Sequence, residues 1–525
     1  MKGVPNIRKY HAVKWNEPVI YELSREGVRG QLVAEVEDGV KSSIGDVESR
    51  IPANMRRTTP PNLPEISEPE VMTHYLHLSQ QTFGVDSGIN VGVGTCTMKY
   101  NPKVNDQLAR MPQVADIHPF QHEDTVQGVL EIMYTMTKWL GEITGMEEIN
   151  LQPGGGSHAV YTNCCITRAY HKSRGELNQR FEAIVPTLSH PCNAAAPASA
   201  GFKVIAMEPD PETGCLDIEA LKAVVSKHTA AMLLTDPYDT GVFDANIAEY
   251  AKIVHESGGL VLLDQANANS LIGVARAAEM GADMCHLNLH KTFSTPHGSM
   301  GPGAAPIGAR EQFSEFMPVP IIEFDGNKYH LNYDRPRTIG KTRGFYGNTP
   351  NILKAYAWIM AMGGEGLREA AMVAVMNCNY MIKRLSDVRG LSLPFARGHF
   401  RMQEARFSWQ KLKEDTGLST DDLNRRIVDF GVQNYFPSHH PWIVPEPMTP
   451  EPTESVSKLD LDRFCDIIRR VSEEAYADPE MVRSAPHSGS ISKIELTKVT
   501  YDMTQSAMTW RAFLKKKQRG LISRN

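Results

Sequence analysis

Residues 258–293, GGLVLLDQANANSLIGVARAAEMGADMCHLNLHKTF, decide the fold of this chain. An apolar run ends in a carboxylate at Asp264, and a second short segment ends in an amine at Lys291. The distance between them leaves room for one crossover and the next strand, as in a βαβ unit. Because the first run is apolar throughout rather than alternating, it indicates a parallel strand that is covered on both faces.

The same alternation of short apolar segments and helical patterns extends towards the N-terminus. The apolar segments are RFEAIVPT (180–187), FKVIAM (202–207) and AAMLLTDP (230–237), and the helical patterns include VQGVLEIMYTMTKWLGEITG (126–145) and IAEYAKIVHESG (247–258). Each apolar segment closes with a polar turn, and its length suits a strand rather than a helix. The sequence therefore predicts an α/β domain with a mostly parallel sheet.

Changes in composition divide the chain into three predicted parts. Residues 1–90 read as an N-terminal arm and linker, because they end in the Pro-rich stretch IPANMRRTTPPNLPEISEPE. Residues 91–350 form the predicted large domain. Residues 351–525 begin with a long helical pattern and form a smaller α+β domain with a basic tail (Lys515, Lys516, Lys517, Arg519). A Pro-rich connection, YFPSHHPWIVPEPMTPEPTES (435–455), is too long for a simple turn, and we expect it to be packed.

Composition excludes several classes of function. The chain has 525 residues and a formal net charge of −6, which argues against nucleic acid as the main partner. Its eight cysteines contain no CxxC pair, so neither a metal site nor a disulfide framework is predicted. The N-terminus lacks the apolar run of a secretory signal, and no stretch is apolar enough to span a bilayer. We expect a cytoplasmic protein without a membrane partner.

Lys291 is the first candidate for chemistry. It lies in HLNLHKTFSTPHGSMGPG (286–303), an apolar, Gly-flanked segment in which a buried ammonium group is costly unless it is paired or covalently consumed. A Schiff base with pyridoxal 5'-phosphate (PLP) solves this problem, and burial makes the amine more reactive. The competing interpretation is a surface lysine at the end of a strand.

Asp264 is the second candidate, at the C-terminal end of a predicted buried strand. Open α/β sheets place their ligands at that end of the strands. A carboxylate beside the pyridine nitrogen of PLP keeps the ring protonated, so that the ring can accept electrons from a carbanion. Alternatively, Asp264 caps the helix that follows.

Two further motifs complete a recognisable order along the chain. LQPGGGSHAVYTNCCITRAYH contains a Gly-rich turn before a helix, where Gly155, Gly156 and Ser157 would hold a phosphate at the helix N-terminus. His190, just after a predicted strand, could stack on the pyridine ring. A plain loop and a structural histidine are the alternatives when each motif is taken alone. The order Gly-turn, His, Asp, Lys favours a PLP site.

These motifs resemble those of one family nearly end to end. The segments ELSREGVRG, ISEPEVMTHYLHLSQ, GVGTCTMKYNP, HPFQHEDTVQG, LNLHKTFSTPHG, DRPRTIGKTRGFYGN, EPTES and DPEMVRSAPHS are similar to the PLP-binding subunit (subunit 2) of two-subunit glycine decarboxylase, the P-protein of the glycine cleavage system. The resemblance implies a fold-type-I PLP enzyme with a cofactor lysine, a pyridinium partner and a stacking residue at Lys291, Asp264 and His190. Asn267 and His290, next to these motifs, are included among the predicted cofactor-binding residues.

The resemblance also implies a reaction and its partners. Glycine, the amino-acid substrate, would lose its carboxylate as CO₂, and the aminomethyl group would pass to the lipoyl arm of an H-protein. A homologous subunit 1 would complete a hetero-oligomer.

The sequence departs from the family pattern near the cofactor motifs. The segment after the stacking histidine reads Pro191-Cys192-Asn193, Gln265 follows Asp264, Ser299 and Met300 interrupt a glycine run, and Gln403 stands where the family has a histidine. Two alternatives therefore stay open. One is a repurposed PLP enzyme acting on another amino acid or acceptor, and the other is a catalytically silent scaffold, against which the retention of Lys291 and Asp264 argues.

Overall fold

The protein was analysed as a computed structural model, which describes residues 7–8, 10–59, 61, 63–84, 86–89, 91, 99–297, 301–433, 437, 443–494, 515 and 518–519. The chain divides into two compact units. The large unit comprises Gly84–Ala485 and the short stretch before Tyr10, and the small unit comprises Tyr10–Phe83 and the residues from Pro486 onward. The predicted boundary near residue 350 falls inside the large unit and stays a prediction.

The described α-helices and strands are as follows. The helices are α1 (Asp38–Ile44), α2 (Glu68–Gln80), α3 (Lys103–Ala109), α4 (Pro112–Ala115), α5 (Gln127–Thr144), α6 (Gly156–Ser173), α7 (Cys192–Ser199), α8 (Ile218–Val224), α9 (Ile247–Glu256), α10 (Leu289–Thr292), α11 (Thr349–Leu385), α12 (Gln410–Thr416), α13 (Thr420–Val428), α14 (Lys458–Ala477) and α15 (Pro479–Arg483). The strands are β1 (Glu148–Asn150), β2 (Glu182–Pro186), β3 (Lys203–Met207), β4 (Thr229–Thr235), β5 (Leu260–Gln265), β6 (Met284–Leu287), β7 (Ile307–Ala309), β8 (Ile321–Phe324), β9 (Tyr329–Asn332), β10 (Phe407–Ser408) and β11 (Pro447–Met448). In this described part of the chain, every helix is too short or too polar to cross a lipid bilayer.

A seven-stranded sheet forms the centre of the large unit. Its strand order is β1-β7-β6-β5-β4-β2-β3. The neighbouring strands β6, β5, β4, β2 and β3 pair in parallel. Strand β7 runs antiparallel to its two neighbours, β6 and β1. The predicted α/β class with a mostly parallel sheet is confirmed.

Both faces of the sheet are covered by helices, which explains the continuous apolar runs. Side chains alternate between the two faces of a strand. Leu262 of β5 packs in one buried cluster with Val160 of α6, whereas the next residue, Leu263, packs in another with Tyr250 of α9. By the same alternation Asp264 lies on the α6 side of the sheet and Gln265 on the other.

A separate hydrophobic core lies in the C-terminal part of the large unit. Helices α11 to α15 enclose buried side chains that include Met381, Leu423, Phe464 and Ile468. The long helical pattern after residue 350 is confirmed as α11, although Gly363 at φ 64° breaks its regular geometry. The described part of the predicted Pro-rich connection contributes β11 and buried residues up to Thr453.

The small unit is organised around α2. A capping box formed by Ser67 and Glu70 starts this helix. Both oxygens of Glu17 are used, since one lies 2.6 Å from His74 Nδ1 and the other 2.7 Å from His77 Nδ1. Trp15 stacks on His77 with ring centroids 3.9 Å apart. These contacts fix residues of the otherwise irregular N-terminal arm to one helix of the same unit.

Candidate active site

A cavity of about 180 Å³ lies where β4, β5 and β6 end and α6 begins. It is lined by Gly156, Ser157, His190, Cys192, Thr235, Pro237, Asp239, Asp264, Ala266, Asn267, His286, Asn288, His290, Lys291, His297, Gln403 and Glu404. The C-terminal ends of parallel strands leave such a crevice because their connections diverge to opposite faces of the sheet. Seven of the eight residues predicted from the sequence share this one cavity.

Asp264, the penultimate residue of β5, is 6% exposed and held from two sides. Its Oδ1 accepts a hydrogen bond from the Ala266 N–H (2.9 Å), and its Oδ2 accepts one from Asn193 Nδ2 (2.8 Å). His286 Nε2 lies 3.2 Å from Oδ1. Burial opposes ionisation, but these neighbours outweigh it, and the pKa of Asp264 lies below its usual value. The site therefore holds a fixed negative charge.

Lys291 lies in the one-turn helix α10 and is 9% exposed. Its backbone N–H donates to the Asn288 carbonyl oxygen (3.1 Å), which fixes the start of its side chain. No ion pair joins its ammonium group to any residue that the structure describes. A buried amine without a salt-bridge partner, on the wall of a cavity, is suited to a covalent role.

The Gly-rich turn leads into α6 as predicted. Gly155 is the residue before the helix, and Gly156 and Ser157 are its first two residues. Gly156 packs closely against the next strand connection, because a Cβ at this position would lie 3.1 Å from Asn288 Nδ2 and would require that side chain to shift. The first N–H groups of a helix lack partners within the helix and carry its positive dipole end, so this turn can bind a phosphate. Gly155 itself does not reach the described cavity wall.

His190 lies on the cavity wall immediately before α7. Its Nδ1 accepts a hydrogen bond from the backbone N–H of Cys192 (3.1 Å), which orients the ring. Cys192 also lines the cavity, and burial, followed by the charge of Asp264, raises the pKa of its thiol to about 12. The thiol is therefore protonated at neutral pH and acts as a small apolar group.

Asn267 and His290, the remaining predicted residues, also line the cavity. The Asn267 amide Nδ2 donates to Glu451 Oε1 at 2.6 Å. His290 Nδ1 lies within hydrogen-bonding distance of the Ala304 backbone, and burial lowers the pKa of His290 to about 3. The imidazole of His290 is thus neutral near pH 7.

The departures from the family pattern differ in their distance from the cavity. Cys192 lines the cavity. Asn193 does not line it but donates a hydrogen bond to Asp264, which does. Gln265 lies on the opposite face of β5, where its amide contacts Met280 Sδ at 4.0 Å. Ser299 and Met300 lie outside the described residues.

Several wall residues escaped the sequence analysis. His286 and Asn288 precede Lys291 in HLNLHK at every second position, an alternation that could have identified them. Asn193 was noted only as a departure, although it is the amide that fixes Asp264. Asp239 and Glu404 come from a loop and from the C-terminal part of the chain, and no local signal connects them with Lys291.

The cavity fits the predicted cofactor, PLP. A buried carboxylate, an unpaired amine and a helix N-terminus match the ring nitrogen, the aldehyde and the phosphate of PLP in charge and in bonding. The buried Oδ1 of Asn288 has no hydrogen-bond partner among the described residues, so the wall has bonding capacity left for a bound group. Within the same residues, no three His, Cys, Asp or Glu side chains come together as a metal site requires.

Two family models match parts of the chain. The DegT/DnrJ/EryC1/StrS aminotransferase family matches residues 154–294, which contain the Gly-rich turn, Asp264 and Lys291. The C-terminal domain of glycine dehydrogenase matches residues 370–487, which contain the C-terminal core.

Curated relatives and solved structures extend the similarity to the whole chain. The chain is 45% identical to a probable glycine dehydrogenase (decarboxylating) subunit 2 of Pyrococcus abyssi, over 98% of this chain and 99% of that protein. It is 41% identical to the protein of the same name from Caldanaerobacter subterraneus, over 91% and 96% of the two chains. The fold is similar to a crystal structure of glycine decarboxylase (P-protein) of the glycine cleavage system in inhibitor-bound form, with a TM-score of 0.69, 18% identity and coverage of 84% and 100%.

Proposed function

The chain belongs to the family of glycine dehydrogenase (decarboxylating) subunit 2, and from this premise we propose that it decarboxylates glycine with PLP and transfers the aminomethyl group to the lipoyl arm of an H-protein. The observation that carries the proposal is the presence of ionised Asp264 and unpaired Lys291 in one cavity. A fixed negative charge and a free amine on the same wall are what a PLP enzyme needs.

Each cofactor-binding residue has a proposed role. Lys291 would hold the aldehyde carbon, Asp264 the ring nitrogen, His190 the ring face, and Gly155, Gly156 and Ser157 the phosphate. Asn267 and His290 would complete the wall. When bound, PLP supplies an electron sink for the bond to the departing carboxyl group.

The chain's own residues prepare the site for this chemistry. The Asn193 amide and the Ala266 N–H keep Asp264 oriented and ionised, so the carboxylate can hold a proton on the cofactor nitrogen. The neutral imidazole of His290 leaves Lys291 without a second cation beside it. Low exposure of the wall excludes water, which strengthens these electrostatic interactions.

We propose that the active assembly contains a second, homologous chain. The name of the relatives, subunit 2, supports a subunit 1 and a hetero-oligomer. The lipoylated H-protein would be the acceptor that visits this assembly. The isolated chain should consequently release little CO₂ from glycine until both partners are added.

The test begins with the cofactor. The purified protein should absorb visible light through bound PLP, and borohydride reduction should fix the label to the tryptic peptide that contains Lys291. A label on another peptide would refute the assignment. With subunit 1 and a lipoylated H-protein, carboxyl-labelled glycine should release labelled CO₂.

The same spectral assay separates glycine from other substrates. Glycine, alanine, serine and larger amino acids are titrated while the visible band is followed. A response to glycine alone, with CO₂ release, supports the family reaction. A stronger response to another amino acid would favour a repurposed enzyme, although the position of Gln265 outside the cavity removes one reason to expect it.

A further inference from the structure

Glu404 is an unassigned acid on the cavity wall. It lines the cavity together with Lys291, although it comes from the segment before β10. The residue is 2% exposed, and its Oε1 accepts a hydrogen bond from Gln403 Nε2 at 3.3 Å. Its buried Oε2 has no hydrogen-bond partner among the described residues. A carboxyl group is thus removed from water beside the reacting lysine without full compensation.

The backbone around Glu404 is fixed on two sides. Met402 N–H donates to the Gly241 carbonyl oxygen (2.8 Å), and Ala405 N–H donates to the Pro450 carbonyl oxygen (3.3 Å). Gly241 has φ +78°, and a Cβ there would lie 1.8 Å from the carbonyl oxygen of Glu404. Only glycine fits this approach, so the loop after β4 holds the Glu404 segment at a fixed position.

The charged neighbours of Glu404 do not balance. The groups that face it are the carboxyls of Glu451 and Asp239, the guanidinium of Arg406, the amine of Lys291 and the buried thiol of Cys378. Arg406 Nη2 lies 3.2 Å from Asp239 Oδ2, so this cation already has a carboxylate. Lys291 is then the remaining cation that faces Glu404, and the carboxyl of Glu451 adds a negative charge beside Glu404.

This arrangement keeps a proton on Glu404. Burial, and then the charges of Glu451 and Asp239, raise its pKa well above the usual value, against the opposing effect of Arg406 and Lys291. Four other titratable wall groups are poor proton donors at neutral pH. Burial lowers the pKa of His286, His290 and His297, and that of the Cys192 thiol rises to about 12.

The proposed function, on which this inference rests, requires such a proton. The substrate's bond to its carboxyl carbon breaks as CO₂ leaves, and the electron pair left behind forms a C–S bond to one sulfur of the acceptor. The S–S bond breaks, and its electron pair leaves on the second sulfur. An alkyl thiolate leaves more slowly than a thiolate of lower pKa, so a proton delivered to the sulfur as the S–S bond breaks would speed its departure. The amino acid, in turn, enters with an ammonium group that must lose a proton before it can react.

We propose that Glu404 is the general acid that protonates the sulfur released from the lipoyl disulfide. Glu404 then regains its proton from solvent, which also takes up the proton that the substrate ammonium group loses. The proton lost by the substrate nitrogen and the proton gained by the product sulfur balance in each turnover, and the disulfide is itself the oxidant, so no other oxidant or reductant is needed.

The first test varies the leaving group. Glu404→Gln keeps the size of the side chain but carries no acidic proton. With subunit 1 present, CO₂ release from glycine should fall about 100-fold or more with lipoamide, as expected for the loss of a general acid. With an aromatic disulfide, whose thiolate leaves unprotonated, the variant should stay within about threefold of the wild type. The spectral response to glycine should be unchanged.

The second test does not depend on turnover. The infrared spectrum of the full chain at pH 7 should contain carbonyl absorption from protonated carboxyl groups, to which Asp236 also contributes because burial raises its pKa, and Glu404→Gln should remove one component of this absorption. Glu474→Gln is the matched control, because Glu474 is also buried but forms ion pairs with Arg426 and Arg470. The control should change neither this absorption nor the leaving-group pattern.

The outcomes separate this proposal from the proposed function. An equal loss of rate with both disulfides, or carbonyl absorption that is unchanged in Glu404→Gln, overturns the general acid. If Glu404→Gln does not fold, Glu404→Asp takes its place, and its rate should fall with lipoamide more than with the aromatic disulfide. If the wild type itself releases no CO₂ from glycine with either acceptor, the proposed function is wrong.

Discussion

Two regions of the large unit bury charged side chains, and they do so in opposite ways. Between α13 and α14, the Arg426 guanidinium donates to Glu474 Oε2 and to Asp429 Oδ2, both at 2.8 Å. Arg470 donates to the second oxygen of Glu474 at 2.8 Å. In the cavity, Lys291 has no ion-pair partner among the described residues, and Glu404 has an oxygen without a hydrogen bond.

The difference distinguishes charge that supports the fold from charge that is available for chemistry. A buried ion pair with all its hydrogen bonds made is inert, and breaking it costs stability. An unmatched buried group costs stability as it stands, so its persistence on a cavity wall indicates a use. Substitutions in the first region should therefore lower the free energy of unfolding, and substitutions in the second should lower the rate of turnover.

The largest effect is expected at Lys291. Lys291→Ala should lower turnover by on the order of 10⁴- to 10⁶-fold, as losses of covalent catalytic groups do. The variant should also lose the borohydride-fixed label. Its thermal unfolding, measured in the same buffer, should remain close to that of the wild type without cofactor. If Lys291→Ala kept the borohydride-fixed label, Lys291 would not be the cofactor lysine, and the contrast between the two regions would fail.

Asp264→Asn should produce the next largest effect. The amide cannot hold a proton on the cofactor nitrogen, so turnover should fall by on the order of 10²- to 10³-fold. Substrate binding, followed by the visible band, should change far less. Near-normal turnover would exclude Asp264 as the nitrogen partner.

The matched charges should respond in the opposite sense. Arg426→Ala leaves Asp429 and part of Glu474 buried without their cation, and the free energy of unfolding should fall by about 3–5 kcal/mol. Chemical denaturation measures this loss. At a temperature where the variant is folded, its cofactor label and its rate should match those of the wild type.

Part of the pH dependence of stability should come from the cavity. The pKa of His290 is about 3 in the folded protein and near 6.5 when unfolded, so the unfolded chain binds an extra proton between these values. The stability that His290 contributes is full above pH 6.5 and is lost as the pH falls towards 3. Between pH 7 and 5 this amounts to about 2 kcal/mol.

A substitution at His290 and a second histidine provide the controls. In His290→Asn, denaturation midpoints at pH 7 and pH 5 should lie closer together than in the wild type. Asp283 raises the pKa of His255, so that contribution has the opposite sign and is lost as the pH rises. A steeper loss at acidic pH in His290→Asn would contradict the assignment.

The smallest effect is expected at Gln265. Because its side chain lies across β5 from the cavity, Gln265→Ala should leave the spectral response to glycine within about twofold of the wild type. A glycine titration of the two proteins is sufficient. A clear change in amino-acid preference would show that this departure acts on the site from behind the strand.

The parts of the molecule that the sequence could predict are those with a local signal. The apolar run before Asp264 predicts a buried strand, and the glycines before α6 predict a turn into a helix. The structure has β5 and α6 at these positions. The antiparallel strand β7 was not predicted, because three residues carry too little pattern. Glu404 was not predicted either, since it reaches the cavity only when the segment before β10 closes over the loop after β4.

The close approach at Gly241 also has a consequence for recombination between relatives. The carbonyl oxygen of Glu404 occupies the space that any side chain at position 241 would need. A chimaera that takes the N-terminal portion from one parent and the C-terminal portion from another inherits this fit only if the first parent also supplies glycine there. Crossover points are therefore not equivalent along the chain. A junction between residues 241 and 401 takes the two contacting segments from different parents, whereas a junction after 405 takes both from the same parent.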